Sequence, residues 1–193
     1  MSRPREFDVE RALYQCMEVF WTKGYQSTSF EDLTSATGVK KQSLYCVCDG
    51  KRDLFLKALR LYKQRNINML TEIVSQHESP LEKLERILET ILNQCDEPIR
   101  KGCLMVNAAL EFGTGDEDVT HEVKRMIIEM ERILEEVIRD GQEQSLITIR
   151  QTSQALAAYL NNVLIGAKMM ERSGASPQQI KALLRTSIAL MLP

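Results

Sequence analysis

Three polar side chains that follow Gly38 have chemistry suited to recognising another molecule: Lys40, Lys41 and Gln42. A lysine ammonium group donates hydrogen bonds to phosphate oxygens or to guanine, and a glutamine side chain can pair with adenine through two hydrogen bonds. An isolated run of this kind is more often a solvated surface. Its meaning therefore depends on the elements that surround it.

Two short helical patterns surround these side chains. Capping-box spacing at Thr28 and Glu31, or at Ser29 and Asp32, marks the start of a helix that runs up to the glycine. A short helix over roughly residues 40–48 follows the glycine turn. This arrangement is typical of a helix-turn-helix motif, whose second helix enters the major groove of DNA.

The charge of the chain is unevenly distributed. The chain has 193 residues and a net charge of −2, but residues 1–63 carry eleven Lys and Arg against eight Asp and Glu. The remainder carries fourteen basic and nineteen acidic residues. A weakly basic end on an acidic body suits a protein that touches phosphates with one end only.

Other classes of function find little support in the sequence. No segment resembles a signal peptide or a membrane span, so we expect a cytoplasmic protein without membrane contact. The five cysteines are scattered, which argues against a disulfide framework. No catalytic constellation or metal-ligand spacing is present, so we predict no enzyme activity, no catalytic residue, no metal and no cofactor.

Apolar residues recur at helical spacing along nearly the whole chain, which predicts an all-α protein of nine helices. We predict a helix-turn-helix domain over residues 1–50 and a second domain over 51–193, joined by a helix over 51–76. The sixth helix, 103–112, is expected to be buried on all sides. The seventh is expected to end at Gly141, and the eighth to cover 150–172.

The first fifty-five residues resemble the TetR/AcrR family of bacterial transcriptional regulators. The resemblance lies in residues 20, 24–25, 28–33, 38–39, 43–45 and 51–55. A second segment, 102–111, resembles a stretch found in one branch of the family. The resemblance implies a nine-helix plan, with a three-helix DNA-binding head and a helical domain for ligand binding and dimerisation.

The resemblance also implies DNA contacts. Phosphate-contacting positions fall on Thr28, Ser43, Tyr45 and Lys51, whose hydroxyl and ammonium groups donate to phosphate oxygens. The base-reading positions are Lys40, Lys41 and Gln42, and Cys46 is placed to touch a thymine methyl group. The expected partner is a near-palindromic double-stranded operator, bound by a homodimer.

By the same resemblance, a small and mainly apolar inducer enters a cavity among the fifth to eighth helices. The candidate lining residues are Met105, Asn107, Glu111, Phe112, Met126, Met130, Tyr159 and Asn162. Glu111 is the favoured polar anchor, because a carboxylate in an apolar helix needs a partner. That partner is either a cationic ligand or a structural Lys or Arg.

The eighth and ninth helices are the expected dimer interface. The candidate interface residues are Ala158, Ile165, Met169, Leu184 and Ile188. Small residues allow close approach of the helices, and large residues fill the remaining space. The alternative is that these two helices only complete the core of one subunit.

The function that follows is a DNA-binding transcriptional regulator, by family habit a repressor that an inducer releases from its operator. We expect the fourth helix to carry the signal, since it belongs to both domains. Two alternatives stay open: a thiol sensor that uses Cys46 and Cys48, and a helical module that binds another protein.

Overall fold

The computed structural model describes residues 8–45, 48–95 and 100–193, apart from the side chains of residues 45, 91 and 93–95. Within these ranges the chain forms nine helices and no strand, which confirms the all-α fold class. The helices are α1 (Val9–Lys23), α2 (Phe30–Thr37), α3 (Lys41–Tyr45), α4 (Lys51–Val74), α5 (Pro80–Cys95), α6 (Leu104–Phe112), α7 (Glu117–Glu143), α8 (Ser153–Arg172) and α9 (Pro177–Ala189).

The helices α1 to α3 form the head, and local sequence explains the bounds of α2. Of the two possible capping boxes, the structure contains the one formed by Ser29 and Asp32. Hydrogen bonds from Lys23 and then from Ser29 lower the pKa of the Asp32 carboxyl to about 2. The helix ends at Gly38, whose φ of 65° belongs to the left-handed region that glycine adopts without strain.

The apolar core of the head also includes residues of later helices. Phe20, Leu33 and Leu44 are each at most 1 % exposed, and they share one apolar cluster with Phe55 of α4. That cluster continues into α6 and the first half of α7 through Leu104, Met105, Ala108, Val119 and Met126. The head therefore packs against α6 and α7 as well as against α4.

A second apolar cluster joins the far end of α4 to α5, α7, α8 and α9. Its most buried members include Leu84, Leu134, Leu160 and Ile180, none of which is exposed to solvent. The long helices α4 and α7 contribute to both clusters. The division of the chain into domains at residue 50 stays a prediction.

Charged side chains between α4 and α7 form a network around the buried pair Lys63 and Glu122. The Glu122 carboxylate accepts hydrogen bonds from Arg60 at 2.7 Å and from Lys63 at 3.2 Å. Lys63 also lies 3.5 Å from Glu129. The side chains of Lys63 and Glu122 are 7 % and 4 % exposed. Burial raises the pKa of the Glu122 carboxyl, but the hydrogen bonds and charges of Arg60 and Lys63 outweigh it and leave the pKa below its ordinary value.

Several details of the sequence prediction are wrong. The helix α6 is not buried on all sides, because Leu110 is 69 % exposed. The helix α7 continues through Gly141 to Glu143. Gly141 is within the helix and packs against Ile147, which lies after the end of the helix. The helix α8 begins three residues later than expected, at Ser153, because the Thr152 hydroxyl caps it. The helix α4 ends at Val74, two residues earlier than expected.

Candidate functional site

The short helix α3 presents the side chains that the sequence singles out for base reading. Lys40, Lys41 and Gln42 are all exposed, and the Lys40 carbonyl accepts from the backbone N–H groups of Ser43 and Leu44. Leu44 is 1 % exposed and anchors α3 to the head core. The exposed residues therefore stand at the amino end of a helix whose opposite side is buried. The side chain of Tyr45 and the whole of Cys46 lie outside the described residues.

Two of the expected phosphate contacts are instead internal to the head. The Thr28 hydroxyl donates to the Gly24 carbonyl at 2.6 Å, and the residue is only 1 % exposed. The Lys51 ammonium donates to the carbonyls of Tyr25 and Thr28, at 3.0 Å and 2.9 Å, and lies over the Tyr25 ring. Both side chains hold the turn between α1 and α2 in place, which corrects the phosphate-contacting role that the family resemblance implies for them. Ser43 is partly exposed.

Glu111 was expected in the ligand cavity, and the structure corrects this. Its carboxylate accepts hydrogen bonds from the backbone N–H groups of Tyr25 at 2.9 Å and Gln26 at 2.6 Å. A β-carbon at Gly24 would lie 3.1 Å from Glu111 Oε2, so the glycine gives the carboxylate room to approach. The partner that this carboxylate needs is therefore the backbone of the head.

Phe112 also serves the junction between α6 and the head. Its ring centroid lies 5.0 Å from that of Tyr25 and 5.5 Å from that of Phe55. Aromatic pairs at these separations are favourable beyond their buried area. Phe112 is absent from the cavity lining, which corrects its assignment as a ligand contact.

A third junction joins the start of α4 to the start of α7. The Arg52 guanidinium donates to both carboxylate oxygens of Asp116, at 2.9 Å and 2.8 Å, and to Asp118 at 2.7 Å. These hydrogen bonds raise the pKa of Arg52 and lower the pKa of the Asp116 carboxyl. The segment between α6 and α7 is therefore attached at both ends. The end of α6 contacts the head, and Asp116 contacts the start of α4.

A cavity of about 230 Å³ lies between α4, α6, α7 and α8. Of the predicted lining residues, Met105, Met126 and Met130 contribute to its wall. The residues that sequence reasoning missed include Tyr62, Asn66, Met69, Cys103, Val106, Ala109, Leu110, Ile127, Asn161, Leu164 and Lys168. Burial raises the pKa of the Tyr62 phenol well above its ordinary value. The wall is therefore mainly apolar, with a few polar groups.

Three other predicted lining residues lie elsewhere. The Asn107 amide donates to the Lys101 carbonyl at 3.0 Å. Asn162 is exposed, and its amide donates to the carbonyl one turn earlier in α8. Tyr159 is 41 % exposed on the outer side of α8, where its hydroxyl donates to Ser187. None of the three lines this cavity: Asn107 contacts the segment before α6, and Tyr159 and Asn162 lie on the other side of α8.

The outer face of α8 and α9 carries part of the predicted dimer interface. Met169 is 53 % exposed and Ala158 is partly exposed, whereas Leu184 is 1 % exposed inside the subunit core. Ile188 packs against that core, and Ile165 lines the cavity. The assignment of Leu184 to the dimer interface is therefore wrong, because the residue lies inside the core of the subunit. A shallow groove on this face is lined by Gly166, Met169, Met170, Ser173, Gly174, Ala175 and Gln179.

The described cysteines give little support to a thiol sensor at α3. Cys48 is buried, and its thiol donates to the Leu44 carbonyl at 3.0 Å. Burial raises the pKa of Cys48, and it raises that of Cys16 to about 11, with a smaller contribution from Cys48. Among the described residues, no group of His, Cys, Asp or Glu could hold a metal ion. No helix in the described ranges is long and apolar enough to cross a membrane.

Both halves of the chain match models of known protein families. Residues 15–66 match the model described as bacterial regulatory proteins, tetR family. Residues 80–187, more than half of the chain, match the tetracyclin repressor-like C-terminal domain.

Individual relatives agree with these matches. The chain is 28 % identical to the helix-turn-helix transcriptional regulator YezE of Bacillus subtilis, over 99 % of this chain and all of YezE. It is also 28 % identical to the transcriptional repressor ComR of Escherichia coli, over 98 % of this chain and 91 % of ComR. The fold is similar to that of the TetR family regulator CifR in complex with operator DNA, with a TM-score of 0.85 and 25 % identity over 98 % of this chain and all of the CifR chain. The chain therefore belongs to the TetR family of bacterial transcriptional regulators.

Proposed function

We propose that two copies of this chain bind a near-palindromic operator through α3 and repress transcription until a small molecule enters the cavity. The observation that carries the proposal is the exposed amino end of α3, where Lys40, Lys41 and Gln42 stand together above the buried Leu44. The relative ComR is a repressor, and CifR has been crystallised with operator DNA.

DNA recognition divides into two tasks in this proposal. Lys40 and Lys41 supply positive charge for phosphates or for guanine, and Gln42 reads adenine through its side-chain amide. Ser43 is partly exposed in the same helix, and its hydroxyl can donate to a phosphate oxygen. Thr28 and Lys51 act indirectly, because they fix the turn that sets the position of α2 and α3.

Dimerisation follows from the size of the recognition element. One short helix reads only a few base pairs, so specificity requires two copies on adjacent turns of DNA. The outer face of α8 supports the contact, because it exposes Tyr159 and Met169, and Met169 borders a shallow groove with the small residue Gly166. Large exposed apolar side chains next to small ones suit close helix packing between subunits.

The response to an inducer runs through α6 in this proposal. One side of α6 lines the cavity through Met105 and Val106, and its end holds the head through Glu111 and Phe112. A ligand that displaces α6 therefore acts directly on the turn before α2. The fourth helix contributes too, since Arg52 joins it to the start of α7.

Binding to DNA from upstream of the gene for this protein tests the proposal. We expect a mobility shift with two chains for each duplex, and a loss of that shift in Lys41→Ala. The matched control is Lys124→Ala, because Lys124 is an exposed lysine on α7, away from α3. A single chain per duplex, or equal binding by both variants, would refute the proposal. Capture of another protein instead of DNA would favour the interaction-module alternative.

A further inference from the structure

The cavity contains one buried polar atom that the protein leaves without a partner. Asn161 lines the cavity wall from α8 and is only 1 % exposed. Its Oδ1 atom has no hydrogen-bond partner among the described residues. A buried acceptor without a partner costs free energy. A hydrogen bond from a bound molecule to this atom would remove that cost.

The orientation of the Asn161 amide is fixed by its surroundings. Its Nδ2 atom lies 3.5 Å from the Ile127 carbonyl oxygen and 3.4 Å from Glu131 Oε1. Turning the amide over would place its oxygen against two other oxygens, which is unfavourable. The group that remains for a ligand is therefore the acceptor Oδ1 and not the donor Nδ2.

An apolar setting argues against a bound water in this position. A buried water needs two to four polar partners. Leu164 and Ile165 follow Asn161 by one helical turn and line the same wall, together with Ile127. A larger ligand satisfies the acceptor with one donor and fills the remaining space with apolar groups.

The rest of the wall sets the size and charge of such a ligand. A cavity of ~150 Å³ accepts benzene, so about 230 Å³ accepts roughly ten non-hydrogen atoms. The one ammonium in the described lining, on Lys168, is already 3.0 Å from Glu171 Oε2, and both side chains are nearly buried. A charged ligand would therefore bring an uncompensated charge into an apolar space, which is costly.

We propose that the inducer is a small, neutral and mainly apolar molecule that donates one O–H or N–H hydrogen bond to Asn161 Oδ1. This inference rests on the proposed function, because it concerns the cavity in which the inducer binds. It specifies the chemical class of the inducer and the residue that selects for this class. An apolar molecule of the same shape without the donor binds more weakly.

Two probe molecules of matched shape test the inference. 4-Propylphenol and 4-propyltoluene each have about ten non-hydrogen atoms and differ by an O–H in place of a methyl group. Calorimetric titration of the full chain without DNA should show the phenol binding on the order of ten-fold more tightly. In Asn161→Leu the ratio of the two affinities should fall to about one, because the acceptor is gone. Asn162→Leu is the matched control, since it makes the same change at the neighbouring exposed residue outside the cavity wall, and it should retain the ratio of the two affinities.

Other outcomes would overturn the inference. These are a ratio near one in the unaltered chain, a ratio that survives in Asn161→Leu, or no binding of either probe. Should Asn161→Leu not fold, the ¹³C shift of the Asn161 side-chain carbonyl is measured in the unaltered chain. It should move with the phenol and not with the toluene, and equal shifts would count against the donor.

Operator binding separates this inference from the proposed function. A preference for the phenol without any change in operator affinity would support the inference and contradict the inducer response. Equal release of the operator by both probes would support the inducer response and contradict the role of Asn161.

Discussion

The carboxylate of Glu111 accepts a hydrogen bond of 2.9 Å from the backbone N–H of Tyr25, and so joins the end of α6 to the turn before α2. Gln26 donates to the same carboxylate. Four residues of α6 that precede it line the cavity: Met105, Val106, Ala109 and Leu110. This contact gives the cavity a short physical connection to the DNA-binding head.

Replacing Glu111 by alanine should loosen the turn before α2. We expect faster hydrogen exchange at the amides of Tyr25 and Gln26, and a free energy of unfolding lower by about 1 kcal/mol, because the two exposed N–H groups bond to water instead. Glu136→Ala is the control, since Glu136 is an exposed glutamate on α7. Unchanged exchange at both amides would contradict the importance of this contact.

Replacing Glu122 by glutamine should destabilise the junction of α4 and α7. Lys63 would keep its buried charge with only Glu129 nearby, so we expect a loss of about 2–4 kcal/mol in denaturant unfolding. The double variant Lys63→Met with Glu122→Leu should lose less, because neither charge remains to be buried. A double variant less stable than Glu122→Gln would contradict this view of the network.

The same network should make stability depend on acid. The pKa of Glu122 is below its ordinary value of 4.5 in the folded chain. The stability from this carboxylate is therefore fully present above pH 4.5 and is lost as the pH falls through the lower, folded-state pKa. The double variant lacks the group, so its unfolding free energy should fall less steeply below pH 4.5. Equal pH dependence of the two chains would exclude this contribution.

Exposed apolar residues on α8 should control self-association. Met169→Arg places a charge on the outer face of α8, so we expect a shift from dimer to monomer in sedimentation with an unchanged helical spectrum. The matched control is Ile128→Arg, on an exposed position of α7. A dimer that persists in Met169→Arg but dissociates in Ile128→Arg would place the interface on another face.

The cysteines should differ in reactivity toward iodoacetamide. Cys16 is fully buried with a pKa of about 11, so it remains a protonated thiol at pH 8. Cys103 is partly exposed and should be alkylated before Cys16 when peptides of the folded chain are analysed by mass spectrometry. In denaturant the two rates should become similar. Alkylation of Cys16 at the rate of Cys103 in the folded chain would contradict its burial.

Local patterns explain why the head was predictable from the sequence. The capping box of Ser29, the left-handed Gly38 and the inward-facing Leu44 each depend on neighbours within a few residues. Such signals determine where short helices begin and end. The site residues at Lys40 to Gln42 follow from the same local pattern, and their contacts with DNA stay a prediction.

Contacts between distant parts of the chain were not predictable in the same way. The sequence marks Glu111 as a carboxylate in need of a partner, but its partners lie 85 and 86 residues earlier and are backbone groups. The sequence analysis predicts that Asn162 lines the cavity, whereas the neighbouring Asn161 does so. This prediction is wrong for a related reason. Adjacent helical residues point about 100° apart, so the face that borders the cavity depends on how α8 packs against α7.

The affinity of the operator for variants of α3 tests the central claim most directly. Lys41→Ala should weaken binding to the operator and to unrelated DNA alike, and it should reduce the salt slope by about two, because each of the two subunits loses one contact. Gln42→Ala should weaken binding to the operator alone, by about 1–3 kcal/mol for each half-site, and relax the preference at one base pair in each half-site. If fluorescence anisotropy shows that both variants bind the operator as the unaltered chain does, α3 is not the element that reads DNA.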